Sequence, residues 1–219
     1  MPARFFVDEN DLEPHDIVGA GRVVGRVRDV DAIERHRLQH HVRRQKTRAE
    51  EHVSEHARNV ELAIGRDLPL ARRLGEPSAV FFGSPDQGDA VAEKVKKYGA
   101  AKVYVVDDAQ IKGFLVAPKA EALQQLAEKA SPAAILLPST FENKEVAGRL
   151  AIKLGSGLIT DAVDVAEGGV TTQSVFAGNY TVQAKVTTGT PIITVKPNSA
   201  APEEAEGAGA VEAVAVTVS

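Results

Sequence analysis

Three short apolar runs, each followed by an amphipathic helix pattern, fill residues 78–154 and constrain the fold more than any other feature. The first run, Ser78–Phe82 (SAVFF), closes at Gly83-Ser84-Pro85. Asp86–Tyr98 then sets Val91, Val95 and Tyr98 at helical spacing and stops at Gly99. Lys102–Val106 (KVYVV) is the second run, ended by the turn-prone pair Asp107-Asp108. Pro118–Ala130 follows as a helix, with proline at its start and Ala122, Leu123 and Leu126 on its apolar side. Ala133–Leu137 (AAILL), closed by Pro138, and Glu142–Leu154, stopped at Gly155, make the third unit. Strands this short and this continuously apolar are covered on both faces. Their alternation with helices predicts βαβ units and a parallel sheet.

From Gly157 the rhythm turns to β. The segments 157–165, 170–188 and 191–197 predict shorter strands, partly antiparallel, with turns at Gly168-Gly169, Gly178-Asn179 and Gly189-Thr190-Pro191. Asn198–Ala210 is small, acidic and rich in Pro and Gly, and reads as a linker. Val211–Val218 alternates like a strand, with little after it to pair with. No internal repeat is present.

The residues before 70 do not match those after it. Eleven of the 14 Arg and all six His lie before this seam, whereas 11 of the 12 Lys lie after it. Residues 30–64 lack Gly and Pro, but their apolar positions are too sparse for a broad buried face, which predicts a solvated helix or a disordered segment. Ile17–Val30 has the pattern of a Gly-broken hairpin or strand. The expected organisation is an atypical Arg/His-rich segment over 1–69, a domain over 70–197, and a linker with a terminal strand over 198–219.

Composition excludes several function classes. The chain has no cysteine, which removes disulfides, thiolate nucleophiles, Cys–zinc sites and iron–sulfur ligation. Its net charge of −4 provides no global field for nucleic acid or anionic membranes. No apolar run approaches the roughly 20 residues that span a bilayer. The opening MPARFFVDENDLEPHD places acidic residues where a signal peptide has its apolar stretch, so a cytoplasmic location is expected.

Several segments, in this order, resemble the alpha subunit of electron-transfer flavoproteins. They are Ala71–Gly75 (ARRLG), Tyr98–Val103 (YGAAKV), Lys144–Val165 (KEVAGRLAIKLGSGLITDAVDV), Ser174–Tyr180 (SVFAGNY) and Thr194–Ser199 (TVKPNS). The resemblance covers about residues 70–219 and is most specific in GRLAIKLGSGLITD. It implies an α/β fold, a Rossmann-like mostly parallel sheet of the adenine nucleotide alpha hydrolase-like kind with a few additional antiparallel strands. Family members open with a short hydrophobic strand, an acidic turn and a helix that runs into the ARRLG-like segment. Here that strand is expected to be missing, and Glu61–Leu70 (ELAIGRDLPL) resembles the helix only loosely. A missing central strand predicts a marginal domain unless Ile17–Val30 substitutes. The Arg/His-rich opening together with this gap suggests a shifted reading frame, because GC-rich DNA read out of frame tends to give Arg-rich protein.

The resemblance also implies a function. Family members are alpha/beta heterodimers that carry electrons from acyl-CoA and related dehydrogenases, as in fatty acid beta-oxidation, to the respiratory chain. FAD does the chemistry and sits in a C-terminal domain bearing a Gly-Gly-Arg-Gly motif, which lies outside these 219 residues. The resemblance therefore assigns no catalytic, cofactor-binding or metal residue to this chain. It implies an electron-carrier subunit rather than a stand-alone enzyme, with the beta subunit as partner and no nucleic acid or membrane insertion. The alternatives are an adenine-nucleotide-binding module of the same superfamily and a non-functional fragment.

Local motifs read as structure. Gly155-Ser156-Gly157 follows a helix and precedes a strand, the reverse of a phosphate loop, and reads as a helix stop. Ser139 or Thr140 reads as an N-cap, and Glu145 with Arg149 as a surface ion pair. His36, His40 and His41 cluster, but Arg37 stands where a zinc protease has its Glu, and further Arg residues would repel a dication. Asp161 and Asp164, three apart on a strand, point to opposite faces and are no catalytic pair.

Overall fold

The three expected βα units are present, and they are joined by a strand that sequence periodicity does not reveal. The computed structural model describes residues 4–8 and 67–218. The chain divides into two units, Met1–Asn10 with Val60–Ser219 and Asp11–Asn59; the described residues all lie in the first. Its elements are β1 (Arg4–Asp8), helical residues 67–74 (α1), β2 (Pro77–Phe82), α2 (Pro85–Val95), β3 (Lys102–Val106), α3 (Ala109–Gly113) and α4 (Ala117–Ala130). Then come β4 (Ile135–Pro138), α5 (Phe141–Leu154), β5 (Leu158–Val165), β6 (Val170–Val175), β7 (Tyr180–Lys185), β8 (Ile192–Val195) and β9 (Ala210–Ala213). Periodicity does not reveal α3 either; its five residues are one turn started by the Asp108 side chain, which accepts from the Gln110 N–H at 2.7 Å.

The described strands form one nine-stranded sheet in the order β7-β6-β5-β8-β4-β1-β2-β3-β9. Every neighbouring pair is parallel except β5–β6 and β6–β7, so the sheet is mostly parallel with an antiparallel meander at one edge, as the sequence predicts.

β1 corrects the expectation of a missing opening strand. Arg4–Asp8 (RFFVD) lies at the centre of the sheet, pairing with Pro77–Phe81 on one side and with Ile135 and Leu136 on the other. Five residues show too little periodicity to separate a buried strand from coil. The expectation of a marginal domain rested on that loss and falls with it. The expectations of a strand or hairpin over Ile17–Val30, of a helix or disorder over 30–64 and of a chance histidine cluster lie outside the described residues.

Alternation along the strands builds two core layers. On one face Ala79, Phe81, Val103, Val105 and Leu136 pack under Leu68, Leu70 and Leu74 of α1 and Val91 and Val95 of α2. On the other, Val80, Phe82, Tyr104, Ile135 and Leu137 pack under Leu123 and Leu126 of α4 and Val146 and Leu150 of α5. Both faces of the central strands are thereby dry, the arrangement their unbroken apolar sequences required.

The linker-like stretch before β9 is fastened down. The N–H groups of Ala205, Gly207 and Gly209 donate to the carbonyls of Lys97, Lys96 and Ala100, each at 2.9 Å. A Cβ on Gly207 would collide with the Ala100 backbone, so glycine permits this close approach. The chain thus crosses from β8 to the far edge, where β9 pairs with β3 rather than standing without a partner. Beyond it, Gln125 and Thr217 exchange two hydrogen bonds of 2.6 and 3.1 Å.

Candidate docking surface

At β5 the sheet leaves its helical cover. The first residues of β5 pair with β8 through Leu158–Ile192 and Ile159–Ile193. Its last residues pair with β6 through Asp164–Thr172 and Val165–Thr171. The register slips on both sides of Ala162, and Asp161 at this joint has φ 58°, a left-handed backbone unusual outside glycine.

Side chains hold the joint. Ser139 Oγ donates to Asp161 Oδ1 at 2.7 Å, and Lys144 Nζ lies 2.8 Å from the same oxygen. The Asp161 N–H donates to Thr194 Oγ1 at 3.0 Å, which is in turn 2.9 Å from Ser139 Oγ. Thr194 is fully buried. Partial burial by itself would raise the Asp161 carboxyl, but the hydrogen bonds from Lys144 and Ser139 and the charges of Lys144 and Lys196 outweigh it. They hold the group below its usual value. Asp164 has a different partner, with Oδ1 2.6 Å from Arg73 Nη1 on α1, and the irregular backbone between the two carboxylates replaces the simple strand alternation expected from their spacing.

Past the joint, β6 and β7 form a hairpin with two unlike faces. Register places Thr171, Gln173 and Val175 of β6 opposite Ala184, Val182 and Tyr180 of β7. This face starts inside the core, at Val165 and the fully buried Thr171. It then runs outward to Val182 (41% exposed), Tyr180 (64%) and Phe176 (75%). The opposite face carries Val170, Thr172, Ser174, Thr181, Gln183 and Lys185. Between Glu167 and Lys196 the only charged residue is Lys185. A largely apolar face lacking charge and, among the described residues, lacking a covering layer marks an interaction surface.

The hairpin turn adds a second sign. Phe176 and Ala177 have φ 50° and 55°, and the Gly178 N–H donates to the Val175 carbonyl at 3.2 Å, a type I′ arrangement. Such turns favour Asn-Gly, and a non-glycine residue here costs about 1–2 kcal/mol. Yet a phenylalanine occupies the first position, largely in water, its ring 5.6 Å from that of Tyr180 in an edge-to-face pair. Sequence reasoning placed the strands and the Gly178-Asn179 turn but missed this surface; the absence of charge across 168–184 was the signal available.

Other exposed large apolar side chains are Phe114 and Leu115 in the connection between α3 and α4, Val211 on β9, and Phe141 and Ile152 on α5. Phe141 and Ile152 on α5 are separated along the same helix by the Glu145–Arg149 ion pair, with N···O 2.9 Å, so charge interrupts that patch. The remaining motifs behave as read. Gly155 ends α5 with φ 57°, and Thr140 caps it, its Oγ1 accepting from the Asn143 N–H at 3.1 Å. Ser139, the other cap candidate, serves the joint instead. Asn143, 1% exposed at the start of α5, has both side-chain polar atoms without a hydrogen-bond partner among the described residues. Among the described residues no helix is long and apolar enough to cross a membrane.

The model of the electron transfer flavoprotein domain matches residues 54–219. The chain is 42% identical over 165 residues to electron transfer flavoprotein subunit alpha of Mycobacterium tuberculosis, covering 75% of this chain and 51% of that one. It is 44% identical over 151 residues to the same subunit of Mycobacterium leprae, covering 69% and 47%. The Syntrophomonas wolfei subunit is 36% identical over 154 residues, covering 68% and 48%. The chain spans about half the length of these curated relatives.

Proposed function

The chain belongs to the electron transfer flavoprotein family, and from that premise we propose that it is the scaffold portion of an alpha subunit, serving an FAD-dependent electron carrier between dehydrogenases and the respiratory chain. The observation that carries this reading is the family match over 54–219, which aligns with about half the length of the relatives. In this reading the chain is a carrier subunit in the cytoplasm rather than a stand-alone enzyme. Its partner is the beta subunit of the heterodimer, and acyl-CoA and related dehydrogenases are met by the complete carrier, as in fatty acid beta-oxidation. In the family FAD is held by a C-terminal domain, and no residue of 1–219 is assigned to it. The family-like domain takes in β1 (Arg4–Asp8) as well as the residues from 67 on, with 198–209 fastened along its surface and β9 at its edge.

Co-expression of residues 1–219 with a beta subunit and the flavin domain of a family alpha subunit tests this. The expected result is a yellow complex whose flavin is reduced by an acyl-CoA dehydrogenase and its substrate. A complex that forms without this chain, or a chain that joins neither partner, would overturn the reading.

A second reading, an adenine-nucleotide-binding module, has one observation in its favour. The unpartnered, buried Asn143 lies in the first turn of α5, where open parallel sheets bind ligands beyond the carboxyl ends of their strands. Titration of the chain with AMP decides it. Saturable binding lost in Asn143→Leu supports this reading, and no heat of binding removes it.

A further inference from the structure

We infer that the apolar face of the β6–β7 hairpin, anchored by Phe176 and Tyr180 at its tip, is the surface on which this chain docks its partner subunit. The inference rests on the proposed function for the identity of the partner, and on the hairpin's own geometry for the place. The face is continuous with the core at Thr171 and becomes steadily more exposed toward Phe176. A sheet with one apolar face and one polar face requires cover on the apolar side. Among the described residues, α1 meets this side at the joint, where Val165 shares the core cluster of Leu68, Leu70 and Leu74.

The tip specifies how cover is made. Phe176 keeps a left-handed backbone that Asn or Gly would adopt more readily, and it presents its ring to solvent. An unfavourable backbone that holds an exposed aromatic side chain in place is the mark of a binding anchor.

The occupant is an uncharged protein surface with a pocket for an aromatic ring. A membrane surface would call for clustered Lys and Arg, whereas the hairpin has Lys185 alone. A second copy paired antiparallel along β7 about the strand's middle would set Tyr180 against Lys185 and Val182 against Gln183. Phe176 would lie beyond both ends of that pairing, still in water. A partner that reaches the turn covers what a second copy leaves open.

Binding of the 219-residue chain to a purified beta subunit of the family, by titration calorimetry, tests the inference. Phe176→Asn suits the turn, so its thermal midpoint is expected to hold or rise while affinity falls about tenfold or more. Tyr180→Ser is expected to weaken binding in the same direction, and Ile152→Ser on α5 to leave it unchanged. Equal binding by wild type, Phe176→Asn and Tyr180→Ser would overturn the docking site and leave the proposed function standing. No binding by wild type would overturn the proposed function and this inference with it. Self-association of the chain alone, or binding to phosphatidylglycerol vesicles, that Phe176→Asn abolishes would also overturn it, by assigning the face to a second copy or a membrane.

Discussion

The centre of the sheet and its meander edge are built from similar residues and end in opposite states. β2, β3, β4 and β8 are rich in Val, Ile, Leu and Phe and are covered on both faces by α1, α2, α4 and α5. β6 and β7 are rich in Val, Thr and Tyr, yet β7 is exposed along almost its whole length. β-propensity alone does not distinguish them. What differs is place in the sheet: β2, β3, β4 and β8 lie beneath the helices that follow β2, β3 and β4, whereas β6 and β7 form the meander edge beyond them. Strands beyond the reach of those helices have no helical cover among the described residues, and the apolar residues they keep are available to another molecule.

Removing the centre should do far more damage than altering the edge. Deletion of residues 1–10 takes β1 from between β2 and β4, and is expected to abolish cooperative denaturant unfolding. A retained transition of similar midpoint would show that β1 does not support the sheet.

Single side chains repeat the contrast on a smaller scale. Leu136→Ala, in the centre and 1% exposed, should cost about 2–5 kcal/mol in urea unfolding. Val182→Ala in the hairpin should cost under about 0.5 kcal/mol. Equal losses would mean that the hairpin face is as well packed as the core.

The joint between the two regions should fall in between. Thr194→Val leaves the Asp161 N–H and Ser139 without their buried partner, and should cost about 1–3 kcal/mol. Asp161 makes the joint sensitive to acid. Its carboxyl is held below the unfolded value of roughly 3.9, so its contribution is complete above that value and disappears as pH falls through the folded one. Asp161→Asn should therefore narrow its stability gap to wild type as pH drops from about 5 toward 2, with the joint sitting among Lys144, Lys196 and Ser139. A gap independent of pH would show that the charge is irrelevant there.

The smallest effect is a gain. Gly148 lies in α5 with open space where a Cβ would stand, so Gly148→Ala should add about 0.5–1 kcal/mol in thermal unfolding and leave partner binding unchanged. Lost binding would move the docking surface to the outer side of α5.

The sequence showed the parallel centre because strands buried on both faces are unbroken apolar runs, and Ser78–Phe82 or Lys102–Val106 could be little else. It hid β1 because RFFVD is short and is recognised only by its neighbours, β2 and β4, which are distant in the chain. It misrepresented Asn198–Ala210 because Gly, Ala and Pro serve a loose linker and a close backbone contact alike; only the approach of Gly207 to Ala100 separates the two. It placed the hairpin strands but not their exposure, since exposure depends on what does not cover them. The joint at Asp161 was invisible for a related reason: Ser139, Lys144, Asp161 and Thr194 meet through the fold and share no local motif.

The most direct test is amide hydrogen exchange of the 219-residue chain, alone and bound to the beta subunit. Free, residues 170–185 should exchange much faster than β2, β3 and β4. In the complex, protection should appear over 170–185 and be greatest around Phe176 and Tyr180. Protection gained elsewhere, with the hairpin still exchanging as in the free chain, would contradict the account.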